Sequence, residues 1–150
     1  HFMESNGYHF SYTNYEEIDE DGHKLGVKVT GPKVISKTGM FNYCWPGCLT
    51  VMYDAEAYGL LQIADIKKNN DYAMWLKICR KMECYLLDEY LAEYRRGRKG
   101  SISTHSYWKL IEWHYKLWHD AEGMGAIHSW INTVKNLVFG LYKKKRYVKR

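Results

Sequence analysis

The sequence predicts an α+β fold: a small N-terminal antiparallel β-sheet packed on a C-terminal bundle of three to four α-helices. Three observations carry this expectation. Residues 8–53 hold alternating and β-branched stretches divided by turn dipeptides, among them "DGHKLGVKVTG" and "MFNYCWPGCLTVMY". From Asp54 onward, apolar residues recur at helical spacing. Two prolines in 150 residues leave helices unbroken, and an aromatic content of 16% supplies large side chains for a core. A chain of this length buries about two thirds of its unfolded surface without a disulfide or metal. The expected organisation is a single domain over 3–150, with a β-rich part 3–53, a helical part 54–142 and a basic tail 143–150. His1 and Phe2, ahead of Met3, read as a cloning remnant.

In chain order, three or four strands are expected before residue 54, and the acidic run "EEIDEDG" at 16–22 reads as a solvated turn between the first two. Cys44 and Cys48 flank a Pro-Gly turn in "CWPGC". Three residues separate them, against two in redox pairs, and Cys79 and Cys84 lie five apart in a stretch read as helical, so their sulfurs point about 140° apart. Neither redox nor zinc chemistry follows, and free thiols are expected. Asp54 can cap a helix over "AEAYGLLQIADIKK", with Glu56 in its first turn and Lys67 and Lys68 in its last. "NND" then caps a second helix, residues 72–94, with apolar positions 75, 78/79, 82, 85/86, 90 and 94, closed by Gly97 and Gly100. A third helix spans about 104–121. A fourth, after "EGMG", carries apolar positions 127, 130/131, 134, 137/138 and 141.

The third helix holds tryptophans at 108, 113 and 118, which fan around the cylinder. Tyr107, Leu110, Ile111, His114, Leu117, Trp118 and Ala121 share one arc about 120° wide, the expected core face, with His114 as a hydrogen-bonded core histidine. His105, Glu112 and His119 follow at steps of seven, a rise of about 10.5 Å, too far for two of them to share one ion. No metal site is expected on this helix alone. Trp113 lies off the core arc and is a candidate contact residue.

Charge is asymmetric. Residues 1–70 carry six Lys/Arg against nine Asp/Glu, and residues 71–150 carry sixteen against eight. The basic half contains "RRGRKG" at 95–100 and "KKKRYVKR" at 143–150. Cations neutralise phosphates, and interleaved aromatic rings can stack on unpaired bases. The chain is therefore read as a non-catalytic binder of DNA or RNA through Arg95, Arg96, Arg98, Lys99, Lys143, Lys144, Lys145 and Arg146, with Trp113 and Tyr147 as stacking partners. The rival reading is a small adaptor or inhibitor that docks on a protein or nucleoprotein complex through aromatic anchors, of the kind viruses and mobile elements use against host nucleases.

A third reading is enzymatic. Asp54, then Asp65 and Lys67 in "LLQIADIKK", matches an acid followed by acid-x-Lys, and over these residues the chain resembles the PD-(D/E)xK nucleases, although no Pro precedes Asp54. That resemblance implies a strand hairpin, a Mg²⁺ ion held by the two carboxylates and a lysine that activates water. Otherwise no cofactor is expected, and no HExxH, Gly-rich phosphate loop or GxSxG occurs. No apolar run approaches the roughly 18 residues of a membrane span, so a cytoplasmic protein with no membrane partner is expected.

Overall fold

The computed structural model describes residues 1–97 and 107–150. Its centre is a mixed six-stranded sheet with the helices packed against it. A short helix α1 (Phe2–Asn6) leads into β1 (Phe10–Ile18), and the Asp19–His23 turn returns the chain into β2 (Lys24–Val29). Asp19 closes that turn by accepting from the backbone nitrogens of Asp21 and His23 at 2.9 and 2.8 Å. Then follow β3 (Val34–Ile35), α2 (Lys37–Asn42), a single tight turn at Cys48–Thr50 and β4 (Val51–Tyr53). The remaining elements are α3 (Ala55–Tyr58), α4 (Asn70–Cys79), β5 (Cys84–Arg95), α5 (Tyr107–Lys116) with a widened last turn Leu117–Ala121, α6 (Ala126–Arg146) and β6 (Val148–Lys149). The sheet order is β3-β5-β1-β2-β6, with β4 also paired to β1.

The α+β class holds, and the sheet is larger and less uniform than the expected antiparallel one. The expected helix 72–94 is in fact two elements, α4 and β5, and β5 runs parallel to β1. The apolar spacing of three and four past Met82 is that of a bulged strand. Thr13 pairs with Leu87, Asn14 with Tyr90 and Tyr15 with Ala92, so β5 carries extra residues against β1 at two places. Each bulge resets the alternation of faces, and the apolar set then imitates a helical period. Asn14, fully buried, donates to Asp88 at 2.6 Å beside the first bulge.

Asp54 does cap a helix: its carboxylate accepts from Glu56 N at 2.9 Å and Ala57 N at 3.2 Å. That helix ends at Tyr58, however, where Gly59 takes φ 96°, a conformation few other residues adopt. Leu60 and Ile63 beyond it are exposed. At the other end, the expected basic tail is structured: α6 runs to Arg146, and Val148 and Lys149 pair with Val29 and Lys28.

The core lies between the sheet and α2, α4 and the end of α5, where Phe10, Tyr12, Ile35, Met40, Tyr72, Leu76 and Trp118 are almost completely buried. Leu117, Trp118 and His114 occupy the core as the helical arc implies, whereas Tyr107 and Leu110 of the same arc are exposed. Burial lowers the His114 imidazole to about pKa 4, partly offset by the neighbouring Asn136 amide, so the ring is neutral at pH 7, and its Nδ1 is buried without a partner.

α6 inverts the expected arrangement. Its inward residues Ser129, Thr133 and Asn136 are 0% exposed, while the apolar stripe read as core points out: Ile127 is 75%, Ile131 57% and Val138 58% exposed. The inward face is stable because its polar atoms are paired. Thr133 donates to Ser129 O at 2.8 Å, Trp118 Nε1 donates to Asn136 Oδ1 at 2.9 Å, and Asn136 Nδ2 donates to Asn42 O at 2.8 Å. Gly140 continues this face, where a Cβ would meet the Tyr43 ring at 3.0 Å. Small and amide side chains let α6 approach the core closely, so most of its large apolar residues are displaced outward, Phe139 excepted.

Candidate active site

Two adjoining cavities share Tyr15 and Arg96 as a common wall. The first, about 520 Å³, is lined by Tyr15, Pro46, Gly47, Cys48, Leu49, Asp71, Tyr94 and Arg96. The second, about 580 Å³, is lined by Arg96, Lys143, Lys144 and Arg150 together with Glu17, Tyr43 and neighbouring valines and glycine. One compartment therefore presents a carboxylate, and the next presents four cations against one acid.

Each wall follows from local structure. The parallel β1–β5 pairing sets Glu17 opposite Tyr94, and Arg96 leaves the strand end by donating its backbone N–H to Ile18 O at 2.8 Å. The guanidinium of Arg96 then pairs with Glu17 at 2.7 Å and lies over the Tyr94 ring, 4.9 Å from its centre. The Pro46-Gly47 turn supplies the opposite side. A Cβ on Gly47 would stand 3.0 Å from the Tyr15 ring, so glycine permits the close approach that forms the wall. Burial, with Glu17 second, pushes the Tyr15 phenol up to about 12, and it remains a neutral hydroxyl.

Asp71 enters from the first turn of α4. Its carboxylate accepts from Tyr72 N at 2.8 Å and lines the same cavity as the Cys48 thiol. Burial first, and the Asp71 charge second, push that thiol up, so Cys48 acts as a protonated neighbour and not as a nucleophile. Just before the helix, Asn69 holds φ 59°, and its side-chain nitrogen is buried without a partner. Lys143, on the last turns of α6, donates to Trp45 O at 2.6 Å and lies 5.5 Å from the Tyr43 ring centre. Burial lowers its ammonium to about pKa 8, with Cys44 acting in the opposite direction.

Of the residues singled out by sequence, Arg96, Lys143 and Lys144 meet in this groove. Arg95 instead donates to the carbonyls of Asp19 and Glu20 and holds the β1–β2 turn. Lys145 and Arg146 are exposed at the end of α6, and Arg98 and Lys99 lie outside the described residues. Tyr147 is packed 5.7 Å from Trp45, and its carbonyl accepts from Thr30 N at 3.0 Å, so it is not presented for stacking on a base. Trp113 is half-buried, with the Lys68 ammonium 4.7 Å from its ring centre.

The hairpin that a PD-(D/E)xK site requires is not formed by these residues. The Asp54 carboxylate caps α3 and meets His9 Nδ1 at 2.9 Å, while Asp65 and Lys67 sit in an exposed segment without strand structure. Among the described residues, the donors close enough to share an ion are Asp19, Asp21 and His23, on the far turn of β1 and β2.

Asp71, Tyr15, Cys48 and Tyr94 were not distinguished by sequence as site residues. An acid in the first turn of a helix is what capping alone would place there, so Asp71 carries no separate signal until the fold sets it against the Pro46-Gly47 turn.

Two curated proteins are similar to this chain. The protein named as the teichuronic acid biosynthesis glycosyltransferase TuaG of Bacillus subtilis is 31% identical over 141 residues, which is 91% of this chain and 55% of that protein. The UDP-Glc:alpha-D-GlcNAc-diphosphoundecaprenol beta-1,3-glucosyltransferase WfaP of Escherichia coli is 34% identical over 111 residues, 74% of this chain and 43% of that protein. The chain thus spans about half the length of the curated relatives it matches. No family model and no solved structure matches it.

These likenesses correct the sequence reading of function. Both relatives are named as sugar-transferring enzymes, which contradicts a non-catalytic protein with DNA or RNA as partner, and equally a viral-type adaptor or a Mg²⁺ nuclease. The physical source of the error is that charge alone does not specify a phosphate's carrier. Arg96, Lys143 and Lys144 line an open groove beside a carboxylate, where the sequence shows only a basic half.

Proposed function

We propose that this chain forms part of a glycosyltransferase that moves a sugar from a nucleoside diphosphate to an acceptor hydroxyl. The observation that carries the reading is the juxtaposition of the Asp71 compartment with the cationic one across Tyr15 and Arg96. Glycosyl transfer needs both. A carboxylate takes the proton of the acceptor hydroxyl as its oxygen bonds to the anomeric carbon. The anomeric C–O bond to phosphate breaks, its electron pair leaves with the nucleoside diphosphate, and cations stabilise that charge. Asp71 is suited to the first role, and Arg96, Lys143, Lys144 and Arg150 to the second. Among the described residues that line the Asp71 cavity there is one carboxylate, which suits a single displacement with inversion; a two-step path needs a second acid as nucleophile. The likeness to two glycosyltransferases supports the same assignment.

Binding of uridine diphosphate, measured by calorimetry across pH, tests the cationic compartment. The free Lys143 ammonium loses its proton near pH 8, so affinity is expected to be full below that value and to fall as pH rises through it. Loss of one charge-assisted contact weakens binding about tenfold or more. Lys143→Met should bind weakly at pH 7 and show a flat profile between pH 7 and 9. An unchanged profile in the wild type, or full affinity in Lys143→Met, contradicts this placement of the diphosphate.

A further inference from the structure

The outward face of α6 is an extended apolar surface among the described residues. At about 100° per residue, Ile127, Trp130, Ile131, Val134, Val138 and Leu141 fall on one arc about 100° wide, centred opposite the buried Ser129, Thr133, Asn136 and Gly140. All six are at least half exposed. From Ile127 to Leu141 the stripe is about 21 Å long. Tyr107 and Trp108 of α5 are more than four fifths exposed, and Leu110 is partly so. Between the helices lies a mainly apolar crevice of about 340 Å³, bordered by Tyr107, Leu110 and Leu141. A soluble surface does not ordinarily present so many large apolar side chains together.

Charge selects what covers this face. Residues 123–150 contain no Asp or Glu and seven Lys or Arg, of which Lys143, Lys144 and Arg150 line the groove and Lys135, Lys145, Arg146 and Lys149 remain. Lys145 projects from the apolar arc itself at the last turn, and Lys135 flanks it. A protein-docking face is depleted of lysine at its centre and meets acids at its rim, whereas a helix that lies in a lipid headgroup layer pairs an apolar face with basic flanks and with Trp or Tyr at the boundary. Trp108, Trp130 and Tyr142 supply those rings. No helix among the described residues is long and apolar enough to cross a membrane.

We propose that the outward face of α6, with the exposed start of α5, seats the protein on an anionic lipid surface, with α6 lying in the plane of the headgroups. Large apolar side chains enter the acyl boundary, and Lys135 and Lys145 engage lipid phosphates. This seat stands on the exposed apolar residues of α6 and of the start of α5 and on the charge beside them, and needs no sugar transfer. That it would bring the Asp71 cavity toward a lipid-linked acceptor, such as the one in the name of the Escherichia coli relative, rests on the transfer reading.

The test is sedimentation with large vesicles of phosphatidylcholine alone and of equal parts phosphatidylglycerol and phosphatidylcholine, using the full gene product. Expected are binding to the anionic vesicles, at least tenfold weaker binding to the neutral ones, and about a tenfold loss in Lys135→Ala/Lys145→Ala. Ile131→Glu/Val138→Glu should abolish binding while leaving circular dichroism and the urea midpoint unchanged, because both positions are exposed. Equal binding of wild type and Ile131→Glu/Val138→Glu, or no binding of the wild type to either vesicle, overturns the proposal. So does a wild-type dimer that becomes monomeric in the glutamate variant without vesicle binding, since a second copy would then cover the face. A glutamate variant that unfolds would show the face to be covered by another part of the same chain, and would overturn the proposal as well. Vesicle binding needs no sugar transfer, so a failure here is separate from a failure of the transfer reading.

Discussion

Asp71→Asn is expected to lower turnover in sugar transfer about a thousandfold, within the range that removal of a general base produces. Asparagine keeps the size of the side chain and an oxygen that can accept from Tyr72 N, as the carboxylate does at 2.8 Å. It loses the capacity to hold the acceptor's proton. The change also removes a negative charge from the first turn of α4, worth about 0.3–1 kcal/mol, too little to unfold the protein. Loss of activity should therefore appear with unaltered circular dichroism and unaltered affinity for uridine diphosphate, whose cations stand in the adjoining compartment. Asp71→Glu, which keeps the base but moves it by one methylene, should retain more activity than Asp71→Asn. If Asp71→Asn turns over at the wild-type rate, the base is another group.

Asn136→Ala should produce the largest loss of stability of any single change at an α6 position. The side chain is 0% exposed and joins four elements: it accepts from Trp118 Nε1, donates to the carbonyls of Asn42 and Phe41, and lies 3.3 Å from the Tyr72 hydroxyl. Alanine leaves the Trp118 N–H and at least one carbonyl buried and unpaired. Each unpaired group costs about 1–3 kcal/mol, which gives about 2–6 kcal/mol for the substitution. Val134→Ser, which polar-substitutes the apolar arc one residue past Thr133, should lie within about 0.5 kcal/mol of wild type because that face is exposed. Urea unfolding of both variants checks the inversion of α6. A Val134→Ser loss larger than that of Asn136→Ala would mean the apolar stripe is the buried face after all.

That inversion also marks the limit of what the chain's pattern could convey. The 3.6-residue period located α6 and most of α5 correctly, because any helix with one apolar stripe shows it. Which side of the stripe meets the core is a separate matter. Periodicity assumes that apolar residues are the inward ones, and Ser129, Thr133, Asn136 and Gly140 show instead a helix held by small side chains and satisfied amides. In β5 the failure has another cause, since two bulges against β1 replaced the alternation of a strand with spacings of three and four. The cap at Asp54 was legible and its helix was not, because Gly59 stops the helix after one turn.

The candidate site was legible in part. Arg96, Lys143 and Lys144 stood out by charge, but they lie some fifty residues apart in the chain and converge only through the β1–β5 pairing and the packing of Gly140 on Tyr43. Asp71 converges with them from a third segment. No spacing rule links three such segments, and a basic tally without their geometry favours nucleic acid.

The measurement that bears most directly on the transfer reading is mass spectrometry of an acceptor panel incubated with the full gene product and UDP-sugars. Free sugars, glycosides and sugar-bearing lipid diphosphates would serve as acceptors. The expected result is an acceptor heavier by one sugar residue, with an equal amount of uridine diphosphate released and with both products formed about a thousandfold more slowly by Asp71→Asn. Intact donor with every acceptor, or donor hydrolysed to free sugar while all acceptors stay unchanged, would contradict it.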